Sequence, residues 1–437
     1  MNFSSFRRLL VRGVAPAAIV LAVGVAPAAL AQTPAQSQQQ SQQQGLQNAQ
    51  TTTLDPNLFR DSVAKPLQAA DALIKEAKYS EAMAKIREAE LVPSRTAMEA
   101  YIIDRMRGIV ATQLDDTPLA IRSFEAVLAS GRSPPEEQLK LTEALAVLYF
   151  KADDYPNAVT WTQRYLKAGG TNPEMRMQLV RSLYLGQQYA AAATELRTMI
   201  DADEKAGTTP SADRLQLLGS AYIKSNDGPG YAYVLEKLLA YYPKKEIWAD
   251  AIKRVQERPG FPETLQLDAL RLQEATGSLQ NAAQYTAMAQ LALRAGAPAE
   301  AKRVIDQGFA TGVLGSGSDG DQQRKLRDTA TKQALDDQKI FAQNVKDATA
   351  ARDGNGLVGL GYAMVTAGQF DKGIALMEQG IKKGGLKQPE EARLHLGIAY
   401  LAAGQKAKAI DTFKAVQGDA TGDLARLWLI HAQRASG

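Results

Sequence analysis

Apolar positions recur along this chain at helical spacing, and glycines interrupt them at regular intervals. Residues 394–413 read LHLGIAYLAAGQKAKAIDTF, and residues 358–377 read VGLGYAMVTAGQFDKGIALM. A shift of 36 residues places Gly361 on Gly397 and Gly368 on Gly404. Self-similarity with glycines in the same phase is typical of a helical repeat.

The two glycines of the last repeat have different expected tasks. Gly397 lies inside a helical pattern, where glycine costs about 1 kcal/mol relative to alanine. We therefore predict that Gly397 lets its helix approach the second helix of the same unit closely. Gly404 ends the first helix, and we expect it to adopt the left-handed conformation that glycine favours.

The same phase extends back along most of the chain. Turns are predicted at nine positions, separated by 34 to 39 residues with one gap of 72, namely Ala77, Asp115, Asp153, Gln187, Asn226, Gly260, Gly296, Gly368 and Gly404. The double gap predicts a degenerate unit near Lys332 and thus about ten units over roughly residues 60–420. One long helix from Gln322 to Arg352 is the alternative, because that polar stretch contains no helix breaker.

These units resemble the tetratricopeptide repeat (TPR). Leu396-Gly397, Tyr400, Gly404 and the segment Ala409 to Phe413 carry the family pattern, although the usual closing proline is absent. The resemblance implies an all-α fold, a right-handed superhelical α-solenoid of helix–turn–helix units with a concave groove lined by the first helices. The family's Lys/Asn clamp for a peptide carboxylate has no counterpart here.

Breaks in the pattern suggest the domain organisation. We expect an N-terminal TPR array over residues 55–310 and a Gly/Ser-rich loop over 311–323 as a soft boundary. Residues 324–437 then hold the C-terminal repeats with the long polar helix. Residues 422–434 read as a terminal capping helix, with Leu424, Leu427 and Trp428 on one face.

The N-terminal segment changes the interpretation of composition and charge. Residues 1–31 carry three arginines, an apolar stretch and an Ala-Leu-Ala site, which predicts a signal peptide cleaved after Ala31. Removing these three arginines lowers the formal charge from +4 to +1, so we expect no nucleic-acid partner. Residues 32–54 read as a disordered Gln-rich linker.

Export sets the expected location. We predict the periplasm, with secretion from the cell and the choice between general and twin-arginine export left open. The chain has no cysteine, hence no disulfide and no lipid-anchoring cysteine. No later stretch is long and apolar enough to predict a transmembrane anchor in the mature chain.

Candidate catalytic and cofactor residues fit the repeat better than they fit chemistry. GSGSDG (315–320) and GNGLVG (354–359) match a dinucleotide fingerprint but follow no predicted strand. The acid pairs Asp115/Asp116 and Asp153/Asp154 precede a proline and predict capped starts of second helices. The two histidines, His395 and His431, lack the partners of a zinc or nucleophile site. We therefore predict no catalytic residue, no metal and no cofactor.

The surface formed by the repeats is the remaining candidate site. The phase places eight side chains in the groove, namely Arg105, Glu143, Arg181, Tyr184, Lys224, Gln290, Arg294 and Tyr362. Arginine and tyrosine suit the binding of extended peptides. We expect a periplasmic scaffold for a protein or peptide partner in assembly or maintenance of the cell envelope. The alternatives are an envelope hydrolase that recognises substrate through the repeats, or a lipoprotein-like part of an outer-membrane machine.

Overall fold

The computed structural model describes residues 59–434, and the predicted signal peptide and linker lie outside these residues. Within them the chain forms twenty α-helices, one short 3₁₀ helix and no strand. The expected all-α solenoid of helix–turn–helix repeats is confirmed. The described chain divides into two compact units, one ending at Met199 and one beginning at Ile200.

Unit 1 consists of successive helical hairpins. Its helices are α1 Asp61–Lys75, α2 Tyr79–Glu90, α3 Ala97–Gln113, α4 Thr117–Ala129, α5 Pro135–Lys151, α6 Tyr155–Lys167 and α7 Glu174–Leu185, followed by the first part of α8 Tyr189–Lys205. One apolar core extends from α1 to α7, with Leu67, Ile103 and Leu145 fully buried. A second, smaller core lies around Leu179 and Leu183, between α6, α7 and α8. Burial of such stripes between neighbouring helices is what stabilises a repeat array.

The turns of the hairpins lie where the repeat phase predicts them. All nine predicted turn residues have positive φ, from 55° at Ala77 to 83° at Gly368. A left-handed residue reverses the chain after a helix and satisfies its last carbonyls. The first five of the nine are not glycine, so the backbone accepts a conformation that costs roughly 1–2 kcal/mol per residue.

The second helices of two hairpins are capped by aspartate. The Asp116 side chain accepts a hydrogen bond from the amide of Leu119, and that of Asp154 accepts one from the amide of Asn157. A proline occupies the first turn of both helices, where its missing N–H is not needed. The predicted capped starts are therefore confirmed.

Gly397 is a point of close helix contact, as predicted. A Cβ at this position would lie 2.5 Å from a ring carbon of Phe413, which is on the second helix of the same hairpin. Gly108 has the same relation to Phe124 in unit 1, at 2.4 Å. Gly404 has φ 74° and no atom near its would-be Cβ, which fits a turn rather than a contact.

Unit 2 contains hairpins, one long helix and a C-terminal helix. Beyond the last turns of α8, its elements are α9 Ala212–Lys224, α10 Gly228–Tyr241, α11 Lys245–Gln256, a 3₁₀ helix Glu263–Leu265, α12 Gln266–Ala275, α13 Ala282–Arg294, α14 Pro298–Ala310, α15 Gly320–Ala350, α16 Asn355–Thr366, α17 Phe370–Lys383, α18 Pro389–Ala402, α19 Lys406–Ala415 and α20 Asp419–Arg434. Leu239, Leu394 and Trp428 share one buried core.

The expected degenerate repeat near Lys332 is wrong. Helix α15 runs through this position without a break for 31 residues, in agreement with the alternative of one long helix. Its buried residues Gln323, Ala330 and Ala334 form a single stripe, and no glycine or proline offers a turn between them. One long helix thus takes the place of a hairpin.

The predicted boundary at residues 311–323 does not separate the compact units. This segment joins α14 to α15 inside unit 2, and Leu314 is buried in a core shared with both helices. The side chain of Gln323 also accepts a hydrogen bond from the amide of Gly315 at 2.7 Å. The division between units instead falls within α8, between Met199 and Ile200.

Unit 2 folds back on itself through its last helix. Helix α20 packs against α18 and α19 and also against α10, α11 and α12. Leu424, Leu427 and Trp428 are buried in this contact, so the apolar face predicted for a capping helix is confirmed. The helix therefore covers the end of the array and joins it to the beginning of the same unit.

Candidate functional site

The eight predicted groove residues all lie on first helices of hairpins. Arg105, Glu143, Arg181 and Tyr184 belong to α3, α5 and α7 of unit 1. Lys224, Gln290, Arg294 and Tyr362 belong to α9, α13 and α16 of unit 2. The two sets thus belong to two different compact units.

Arg105 takes part in a contact between successive first helices. Its Nε donates to Glu137 Oε1 of α5 at 2.5 Å, and Tyr101 Oη donates to Glu137 Oε2 at the same distance. Burial favours the neutral acid, yet these two donors hold the pKa of Glu137 below its usual range. Arg105 and Glu137 therefore fix α3 against α5.

Similar polar contacts join the other first helices of unit 1. Arg60, just before α1, donates two side-chain hydrogen bonds to the carboxylate of Glu99 on α3, and they hold the pKa of this acid at about 2. Glu143 on α5 accepts from Nδ2 of Asn172, which precedes α7, at 2.6 Å. These pairs form a ladder from α1 to α7, which we call the first-helix ladder.

Arg181 and Tyr184 lie at the α7 end of this ladder, and both are half-buried. The ring of Tyr184 meets Tyr189 of α8 edge to face, with centroids 5.3 Å apart, and packs against the small core around Leu179 and Leu183. Because this packing already limits the rotamers of the ring, binding of a partner would cost little further side-chain entropy. The helix thus presents a guanidinium and a fixed aromatic ring on neighbouring turns.

The predicted residues of unit 2 do not form one surface. Lys224, Gln290 and Arg294 are exposed, whereas Tyr362 is only 6% exposed. The Tyr362 ring stacks on His395 with centroids 4.5 Å apart, and the guanidinium of Arg271 lies 4.5 Å from its centroid. Tyr362 is therefore an interior residue of this unit.

Tyr362 borders a buried charged cluster that sequence reasoning missed. Arg271 of α12 donates to both carboxylate oxygens of Glu300 on α14, at 2.8 and 2.7 Å, and to Asp268 at 2.8 Å. His395 Nε2 of α18 lies 2.9 Å from Asp268 Oδ1. Asp268, Glu300 and Arg271 are 1%, 2% and 7% exposed.

The electrostatics of this cluster are those of a satisfied ion-pair network. Burial opposes every charge, yet His395 and Arg271 keep the pKa of Asp268 below its usual value. Glu300 likewise raises the pKa of Arg271 against the effect of burial, and burial raises the pKa of Tyr362. Such a network specifies how α12, α14, α16 and α18 fit together.

The described residues contain little else that suggests small-molecule chemistry. No group of three or more potential metal ligands occurs among residues 59–434, and no described helix is long and apolar enough to cross a membrane. A cleft of about 560 Å³ opens beside α18 and α19, lined by Ile381, Leu386, Leu396 and Arg393 among others. None of the eight predicted residues lines this cleft.

Comparison with known families identifies the repeats. A tetratricopeptide-repeat family model matches residues 105–173 and 358–423, one region in each unit. The two matched regions of this chain are tetratricopeptide repeats. The first matched region contains the turn residues Asp115 and Asp153, and the second contains the contact glycine Gly397 and the turn glycine Gly404. TPR proteins of this kind are protein-interaction scaffolds, and at this level the expected function is supported.

The comparisons with individual proteins are more distant. No curated protein sequence matches this chain. The Naa15/Naa10 complex bound to HypK-THB is similar at 16% identity and a TM-score of 0.33, over 87% of this chain and 62% of the other. The apo form of RapI is similar at 14% identity and a TM-score of 0.32, over 80% of this chain and 93% of the other. The TPR2AB domain of yeast Sti1 in complex with pHSP90 is similar at 14% identity and a TM-score of 0.22, over 68% of this chain and 100% of the other.

Proposed function

We propose that this TPR protein is an exported periplasmic scaffold that binds a protein or peptide partner on the first helices of unit 1. We further propose that it serves assembly or maintenance of the cell envelope. The signal-like sequence of residues 1–31 supports export. The repeats support partner binding, because stacked first helices form an extended surface.

The observation that carries the partner-binding proposal is the position of Arg181 and Tyr184 on neighbouring turns of α7, at the end of the first-helix ladder. Both side chains are half-buried on α7, and Tyr184 is held by Tyr189. Arginine and tyrosine are enriched among residues that dominate binding energy. A peptide carbonyl or carboxylate would accept hydrogen bonds from the guanidinium, while an apolar side chain would lie on the ring.

A capture experiment with matched variants tests this proposal. The mature chain, beginning at Gln32, is immobilised and exposed to periplasmic extract of the source organism. The double variant Arg181→Ala/Tyr184→Ala should lose at least about thirtyfold in affinity for the captured partner, since hot-spot losses reach 2 kcal/mol or more. Arg176→Ala is the control, because Arg176 is an exposed arginine on the same helix.

Three results would contradict parts of the proposal. Equal capture by the double variant and by Arg176→Ala would show that α7 is not the binding surface. Reproducible hydrolysis of the captured partner by the purified chain would favour the envelope hydrolase instead. N-terminal sequencing of exported protein should give Gln32 as the first residue, and retention of residues 1–31 in a membrane fraction would rule out the cleavage.

A further inference from the structure

The C-terminal helix α20 is held to the beginning of unit 2 by an aromatic contact. His431 of α20 meets Trp248 of α11 with ring centroids 6.0 Å apart and an interplanar angle of 85°. Its ring also meets Trp428 of the same helix, at 5.8 Å and 75°. Trp428 in turn stacks on Phe413 of α19 at 6.2 Å. His431 is thus a half-buried, titratable residue within an otherwise aromatic contact.

Charged contacts hold both ends of α20, but among residues 59–434 none gives His431 a counter-ion. Arg258, just after α11, pairs with Asp423 near the start of α20, and Arg434 at its end donates to the carbonyl of Ala240. Several charged groups on the elements around α20 have other partners. Glu236 pairs with Arg426, Asp250 with Tyr231 and Arg254, and Asp268 with Arg271 and His395, while Lys406 donates to the carbonyl of Gln433. Among the described residues, no carboxylate forms an ion pair with His431.

We propose that α20 is an acid-released clasp, which neutral His431 keeps closed on α11 and which protonation of His431 opens. When the clasp closes, the imidazole of His431 loses contact with water and packs against the indole rings of Trp248 and Trp428. Protonation makes that transfer costly, because a cation there has no partner charge. Opening would expose the apolar face of α20 and the surface of α10 to α12 that it covers.

Two further observations agree with a contact that can open. Burial lowers the pKa of His431 from its usual value of 6.5, so the closed state favours the neutral ring. The indole nitrogen of Trp428 is buried without a hydrogen-bond partner in the described structure. An unsatisfied buried donor weakens the closed state relative to one in which water reaches it.

The direction of the pH dependence follows from linkage. The pKa is lower in the closed state than in the open state, where the ring is in water. Stability of the closed clasp is therefore complete above pH 6.5 and declines as the pH falls through 6.5 towards the closed-state pKa. Within this window the opening equilibrium should rise by up to about tenfold for each pH unit.

Hydrogen exchange of the mature chain between pH 7.5 and 5.5 tests the clasp, with each amide normalised to its unfolded exchange rate. Wild-type protection over residues 419–434 should fall by several-fold below pH 6.5. His431→Gln should remove this fall, and His395→Gln should retain it, since these are the only two histidines of the chain. If His431→Gln proves unstable, His431→Phe keeps an aromatic ring in the contact and cannot titrate.

Two outcomes would overturn the proposal. One is a fall of protection in His431→Gln or His431→Phe as large as in the wild type, which would assign the effect to another group. The other is unchanged or increased wild-type protection at pH 5.5, which would mean that the indole rings stabilise the imidazolium. Neither outcome bears on partner binding by unit 1, so this test and that of the proposed function are independent.

Discussion

At the scale of single residues, glycines decide how closely the two helices of a hairpin approach. Gly361 of α16 and Gly373 of α17 lie back to back, and a Cβ on Gly361 would come within 2.5 Å of the carbonyl oxygen of Gly373. A backbone atom cannot rotate away as a side chain can. The helices must therefore separate if either residue gains a side chain.

We predict that Gly361→Ala destabilises this hairpin by about 1–2 kcal/mol, as overpacking outweighs the better helix propensity of alanine. Gly359→Ala is the control on the same helix, because nothing lies within 4 Å of its would-be Cβ. That change should instead stabilise by up to about 1 kcal/mol. Hydrogen exchange over residues 355–383 measures both, and equal effects would refute close backbone packing.

Residues with local roles were predictable from the sequence. Gly397 and the nine turn positions, Gly404 among them, follow the repeat phase, because left-handed turns and close contacts recur in each repeat. The burial of Tyr362 was not predictable, since it depends on Arg271 and His395, which are distant in sequence. The repeat phase predicts the role of a residue within its own helix–turn–helix repeat, but not its contacts with other repeats.

At the scale of helices, caps and length determine where each element begins and ends. Asp154 caps α6 and Asp116 caps α4 through one side-chain acceptor each. Asp154→Ala should destabilise α6 by about 1 kcal/mol, whereas Asp154→Asn keeps an acceptor and should cost little. Hydrogen-exchange rates of the amides in the first turn of α6 distinguish the two variants. Identical rates in Asp154→Ala and Asp154→Asn would mean that Asp154 does not cap the helix.

Helix α15 shows where element prediction reached its limit. Its polar sequence without glycine or proline favoured a long helix, while the double gap in the repeat favoured a hairpin near Lys332. The continuous helix prevailed because its buried residues Gln323, Ala330 and Ala334 recur at helical spacing with no glycine or proline between them. The local signals were therefore more reliable here than the repeat period.

At the scale of the whole molecule, a buried ion-pair network holds unit 2 together. Arg271 compensates Asp268 and Glu300, and Asp268 reaches His395 across 127 residues of sequence. The charges look like ordinary helix-surface residues in the sequence, because no repeat signal marks them. Long-range closure of a unit is a property of the packed array, and the fold-back of α20 was not predictable for the same reason.

We predict that Arg271→Met destabilises unit 2 by about 3–5 kcal/mol, because buried Glu300 loses its counter-ion and buried Asp268 is left with His395. Arg303→Met is the matched control. Arg303 also donates two hydrogen bonds to one carboxylate, that of Glu274, but its side chain is 49% exposed. A surface pair contributes about 0–1 kcal/mol. Denaturant unfolding followed by Trp248 and Trp428 fluorescence compares them, and similar losses would contradict the network's role.

The central claim is that a partner binds the first helices of unit 1 after export. Photo-crosslinking in living cells tests it most directly, with a benzophenone amino acid replacing Tyr184 and, as control, Arg176 on the same helix. The account predicts a discrete adduct from position 184 in the periplasmic fraction and none from position 176. Equal adducts from both positions, or adducts only with cytoplasmic proteins, would contradict it.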